Sequence, residues 1–195
     1  MTEPKQKRET RTAAKHIVAF TIAVSAALVV ILGGAILCAQ GQDDGKYSLI
    51  SPGGLAFSDF VGYEDWSVVS SARTDEVLKV IVANPAMIKA FKAGIPQNSG
   101  RFPEGSMIVK LQWKPKKSTE APFAVDVPDV FKQAFVMEKD SKRFPKTGGW
   151  GYAVFNYDAA SNKFTADPQS PADCGHSCHV AMKAKDYIFH PYDTR

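Results

Sequence analysis

Cysteine and histidine are scarce in this chain: 195 residues include three of the first and four of the second. So few thiols exclude a disulfide-stapled scaffold, and the fold must rest on an apolar core, for which 45% apolar residues are ample. Positive charge is scarce where it would count. Of a formal net charge of +4, the five basic residues Lys5, Lys7, Arg8, Arg11 and Lys15 set against Glu3 and Glu9 account for +3, leaving +1 for everything after them. A near-neutral folded part carries no electrostatic footprint for nucleic acid, and its lysines and arginines read as solvated surface. Internal repeats and low-complexity segments are absent as well, which excludes solenoids and points to one domain.

The long hydrophobic run is the clearest feature present. Residues 17–39, "IVAFTIAVSAALVVILGGAILCA", hold no charged side chain over a length that crosses a bilayer as a helix. The basic tail before it keeps residues 1–16 in the cytoplasm and directs the remainder outward. Residues 17–39 are therefore expected to be a transmembrane anchor or a signal segment. The anchor is preferred because the run is long for a signal core, although small residues around Leu37-Cys38-Ala39 permit cleavage. Cys38 is expected to pack in the membrane. Residues 40–54 read as a polar linker and 55–195 as the domain.

Within the domain, "EVLKVIVA" (76–83) reads as a strand. Next, "NPAMIKAFKAG" predicts a short helix with Asn84 as its amino cap, a proline in its first turn and Gly94 as its stop. The pattern turns Met87, Ile88 and Phe91 to the core. The strand "SMIVKLQW" alternates, with Met107, Val109, Leu111 and Trp113 on one face and Ile108, Lys110 and Gln112 on the other. A loop at "KPKKSTEAP" leads to "VFKQAFVM", and "WGYAVFNY" (150–157) is a further strand before a turn at 158–162. Trp113, Trp150 and Tyr152 read as core aromatics. The expected fold class is α+β, an antiparallel β-sheet domain with short helices, preceded by one transmembrane helix.

Two of the three cysteines sit in "DCGHSCH", Asp173 to His179. Covalent haem attachment needs two thiols to add to two vinyl groups and an imidazole directly after the second thiol to reach the iron. Cys178 and His179 meet the second requirement, while Cys174 is one residue further away than in the common C-x-x-C-H spacing. A loop or distorted turn is expected to absorb the extra residue. Haem attachment and a local Cys174–Cys178 disulfide remain balanced on spacing alone. Zinc is weaker, because four donors crowd into six residues. His176 reads as a loop histidine, and Met182 is too close to His179 to supply a ligand on the opposite side of an iron. Such an iron is five-coordinate and open to small molecules.

Four segments in order, "LKVIVANPAMIKAFKAG", "FPEGSMIVKLQW", "KDSKRFP…GGWGYAVFNYD" and "CGHSCHVAMKAKDYIFHPY", span nearly all of residues 75–192 and resemble the cytochrome P-460 family. The resemblance implies a periplasmic c-type haem in a β-rich domain, commonly a homodimer, with His179 as axial ligand. It also implies an inner-membrane location if the anchor is kept, and an external electron acceptor. Enzymes of the family oxidise hydroxylamine or nitric oxide and carry a strand lysine cross-linked to the porphyrin edge, for which the matching residue is Lys110. Lys79 occupies the place of a pocket cation, with an exposed strand residue as its plain alternative. Where those enzymes place a carboxylate over the open haem face, this sequence has Phe135 and Val136, with Glu138 one or two positions late. An apolar cap of that kind resembles the related cytochrome c′-beta proteins, which bind nitric oxide and carbon monoxide without the cross-link. Three readings follow: oxidoreductase, gas-binding protein and, less well supported, electron carrier.

Overall fold

The computed structural model describes residues 45–170 and 172–193, apart from the side chains of 172–174. The predicted tail, membrane segment and Cys38 lie outside these residues. Among the described residues no helix is long and apolar enough to cross a membrane.

Six strands follow one another as an antiparallel meander: β1 (Ser67–Arg73), β2 (Leu78–Ala83), β3 (Met107–Lys117), β4 (Asp126–Lys139), β5 (Trp150–Asp158) and β6 (Lys163–Ala166). Among the described residues two α-helices accompany them, α1 (Pro85–Lys92) and α2 (Ala172–His179). The fold is α+β, with the antiparallel sheet and short helices expected. α1 forms as its sequence dictates: the Asn84 side chain accepts from the Met87 amide at 3.1 Å, the proline enters in the first turn, and Gly94 follows the helix at φ 88°.

Strand alternation gives the sheet two apolar faces. On one, Val82, Val109, Ala134, Val136, Ala153 and Phe155 are covered by the segment before β1, which inserts Leu55, Phe57, Phe60 and Tyr63. Phe57 is fully buried and stacks on Phe155 with centroids 4.4 Å apart; burial of a side chain of that size contributes about 2–3 kcal/mol. The stretch expected as a linker packs here from residue 45 onward, with Tyr47 and Leu49 against the same cluster. On the other face, Val69, Ile81, Ile108, Met137 and Tyr152 meet Met87, Ile88 and Phe91 of α1 and the carboxyl-terminal Tyr187 and Ile188.

Two expectations change. The "KPKK" stretch is strand rather than loop, since β3 runs on to Lys117 in a long hairpin with β4. The cysteine motif is an α-helix rather than a loop or distorted turn.

The carboxyl-terminal segment is fastened to the sheet by a buried ion pair. The Asp186 carboxylate, 1% exposed, accepts from Lys139 Nζ at 3.0 and 3.2 Å, from Arg101 Nη1 at 3.2 Å and from the Phe102 amide at 2.8 Å. Lys139 Nζ also donates to the Gly148 carbonyl at 3.0 Å. The ring of Tyr187 lies so close to Gly148 that a Cβ there would meet ring carbons at 2.2 and 2.4 Å, and Gly148 itself has φ +70°. Gly148→Ala is expected to cost about 2–4 kcal/mol from the left-handed backbone and the clash together. Gly54→Ala, at φ +86° with nothing within 4 Å, should cost only the backbone part, about 1–2 kcal/mol. Urea unfolding of the two variants checks the difference.

Candidate functional site

Placement of the motif begins with Gly175. A Cβ at this position would stand 2.4 Å from the Tyr152 ring, so glycine is what lets α2 rest directly on β5. His179 lies one turn further along the same helix face and therefore also points at the sheet. On a regular helix Cys174 and Cys178, four apart, share a face, which is how the extra residue of the motif is accommodated. Cys178 is a free, exposed thiol; the side chain of Cys174 lies outside the described residues.

His179 is held on three sides. Its Nδ1 lies 2.6 Å from the Tyr187 carbonyl oxygen, and its ring packs against Tyr152 and Phe189 with centroids 5.2 and 4.8 Å away. A carbonyl oxygen only accepts, so Nδ1 carries the proton and Nε2 keeps its lone pair, the tautomer a metal ligand requires. Burial is the chief reason that the His179 imidazolium is disfavoured and its pKa falls below 6.5; the Tyr187 bond works against this, and Lys110, His176 and His190 add to it.

The imidazole borders a cavity of about 250 Å³ between the sheet and the carboxyl-terminal segment. Cross-strand register builds the wall: Lys110 on β3 pairs with Ile81 on β2 and with Phe135 on β4, which pairs with Val154 on β5. Lys110 Nζ lies 4.0 Å from the centroid of the Phe135 ring. Burial first, and the charge of Lys79 second, lower the Lys110 pKa from its ordinary 10.5. Lys79 does not border the cavity; it lies on β2, two residues from Ile81, and its charge bears on Lys110 and His190.

The expected apolar cap is thus Phe135. Val136 borders the cavity but belongs to the core cluster of the opposite face. Glu138 is no late substitute for a cavity carboxylate, because two-residue alternation puts it with Val136, where Arg143 Nη1 donates to it at 2.9 Å. No described Asp or Glu borders the cavity.

His176 is not on the cavity wall; it sits between Tyr152 and Tyr187, at centroid distances of 6.4 and 5.3 Å. Tyr152 is a buried core aromatic, as expected, but it also borders the cavity, and its hydroxyl is buried without a partner. Trp150 is fully buried, whereas Trp113 is half-buried in the hairpin against Phe131. Missing from the residues singled out in the sequence are His190 and Phe189, both bordering the cavity. Their signal was their place in the final matching segment, "DYIFHPY". His190 Nδ1 lies 3.5 Å from Ser70 Oγ on β1.

Among known proteins, the family model described as Cytochrome P460 matches residues 61–190, two thirds of the chain. No curated protein matches it.

The histidine geometry has a pH consequence. The folded His179 binds its proton less readily than the unfolded one, so its contribution to stability is present above pH 6.5 and is lost as pH falls through its folded pKa. In the cofactor-free domain, NMR is expected to show His179 as the Nδ1–H tautomer, titrating below 6.5. An Nε2–H tautomer, or titration at or above that value, would contradict the geometry.

Proposed function

The chain belongs to the cytochrome P460 family and is a haem c cytochrome of that family, and we propose that it binds nitric oxide or a related small gas on the haem face opposite His179. The residues at the cavity suit the group. Cys178 offers a free thiol next to an imidazole with an unprotonated Nε2, beside a largely apolar cavity whose wall includes Tyr152. When bound, the haem supplies an iron that takes a small ligand and exchanges single electrons. Cys174 and Cys178 would hold it covalently, and His179 would hold the iron.

The observation that carries the gas-binding reading is the cavity wall: Phe135 occupies it and no described carboxylate does. Oxidation of hydroxylamine releases protons, and this wall offers no carboxylate to accept them. An apolar wall excludes water and favours small uncharged ligands. Ile108, Met137 and Ile188 keep the interior dry, while the two imidazoles and Lys110 are its nitrogen-bearing side chains.

A second reading, oxidation of hydroxylamine or nitric oxide with electrons passed to an external acceptor, is favoured by Lys110. A buried amine with a lowered pKa is a better nucleophile than an exposed lysine. Lys110 is the residue that would form the carbon–nitrogen bond to the porphyrin edge. The amine and the porphyrin carbon would each give up one hydrogen, and an oxidant such as hydrogen peroxide would take the two electrons. In both readings the domain lies in the periplasm, tethered to the inner membrane by residues 17–39, and pairs as a homodimer.

Haem colour is expected to stay with the protein on a denaturing gel, and His179→Ala should abolish iron ligation while His176→Ala leaves the spectrum nearly unchanged. The two readings part on a tryptic haem peptide from peroxide-treated holoprotein. Lys110 in a free peptide, with tight nitric oxide binding and no hydroxylamine turnover, supports the gas-binding reading. Lys110 attached to the haem peptide, together with turnover that is lost in Lys110→Ala, overturns it in favour of the enzyme.

A further inference from the structure

We propose that Asp186 and Lys139 are positioning residues for the axial ligand: their buried ion pair fixes the Tyr187 carbonyl at His179 Nδ1 and so sets how strongly the imidazole donates to the iron. This rests on the assignment of His179 as the ligand and goes beyond it. Tyr187 follows Asp186 directly, and both have positive φ, 47° and 67°. Left-handed backbone is uncommon for a residue as bulky as tyrosine and persists only where surrounding contacts impose it. Those contacts are on both sides of the turn. The Asp186 carboxylate is saturated by the Lys139 ammonium, the Arg101 guanidinium and the Phe102 amide, drawn from the end of β4 and from the segment before β3. The Tyr187 ring fills the space over Gly148, whose carbonyl receives the same Lys139 ammonium. The Tyr187 amide donates to the Met182 carbonyl at 2.9 Å, which closes the turn back onto the residues following His179.

The carbonyl that meets Nδ1 therefore has no freedom to follow the imidazole; the imidazole follows it. A short bond from Nδ1–H to a fixed acceptor raises the basicity of the other ring nitrogen, strengthens the iron–histidine bond and favours the ferric state. Loss of either partner of the ion pair relaxes the turn and weakens that bond.

The test uses haem-loaded protein, with the ferrous iron–histidine stretch read by resonance Raman and the midpoint potential by spectroelectrochemistry. Asp186→Asn and Lys139→Met are each expected to lower the stretching frequency and raise the potential, changing the ferrous-to-ferric ratio about tenfold at fixed poise, or about 59 mV. The pair of variants excludes a through-space charge effect: one removes a negative and the other a positive charge, so charge alone would move the potential in opposite directions. Opposite shifts, or an unmoved stretch in both, overturn the proposal. If either variant fails to accumulate haem, Arg101→Ala takes its place. Arg101 is 64% exposed and its loss leaves the ion pair intact; a smaller downshift of the same sign is expected, and an unmoved band overturns the proposal. A band that survives in His179→Ala would instead sink the ligand assignment beneath it.

Discussion

The Lys139–Asp186 ion pair joins the end of β4 to the carboxyl-terminal segment, with both side chains at most 4% exposed. A buried pair is a weak source of net stability, because desolvation offsets most of its attraction, but removal of one partner leaves an uncompensated charge at a cost of about 3–5 kcal/mol. Its value here is geometric. Two cations and one backbone amide define where the carboxylate sits, the carboxylate defines the left-handed turn, and the turn brings the Tyr187 carbonyl to the histidine. Glycine at 148 and at 175 makes the same arrangement possible from the other side, by letting Tyr187 and Tyr152 come within contact distance of backbone.

The chemistry of the cavity follows from strand parity. Lys110 and Phe135 face each other across β3 and β4 and share the face that carries Ile81 and Val154, while Val136 and Glu138 take the other face. A shift of one residue in the β3–β4 register would exchange the two sets and put a carboxylate at the cavity. The register observed gives an apolar wall with a single buried amine, whose charge is disfavoured by burial, and two imidazoles that burial also keeps from protonation. Such a lining, without a described carboxylate, suits an uncharged diatomic ligand.

Much of this was legible in local pattern. The α1 cap, the alternation of β3 and the placing of Lys110 on the face opposite Val109 and Leu111 are short-range features that physical chemistry reads directly from neighbouring residues. β1 and β6 were not, since "SVVSSAR" lacks clean alternation and "KFTA" is four residues long. The motif helix was hidden because a spacing of four looks irregular only against the common haem signature; on a helix it is one turn. The ion pair was the least visible of all. Lys139 opens a polar run, "KDSKRF", that reads as solvated surface, and its partner Asp186 lies 47 residues away and is itself 85 residues from Arg101. Long-range partners of this kind leave no trace in a local window, and so the contacts of Asp186 and Tyr187 came to light only through the fold.

The central claim is that His179, its Nδ1 tied to the Tyr187 carbonyl, is the one protein ligand to the iron. His190, Met137, Lys110 and Tyr152 also border the cavity and carry donor atoms that could compete. His190 is near Ser70 Oγ and Met137 is packed in the core beside Tyr152 and Ile108. The absorption and resonance Raman spectra of the ferrous holoprotein, recorded without added ligand, decide the matter. A five-coordinate high-spin iron with a single iron–histidine stretch is the predicted result, and a six-coordinate low-spin iron would contradict the account.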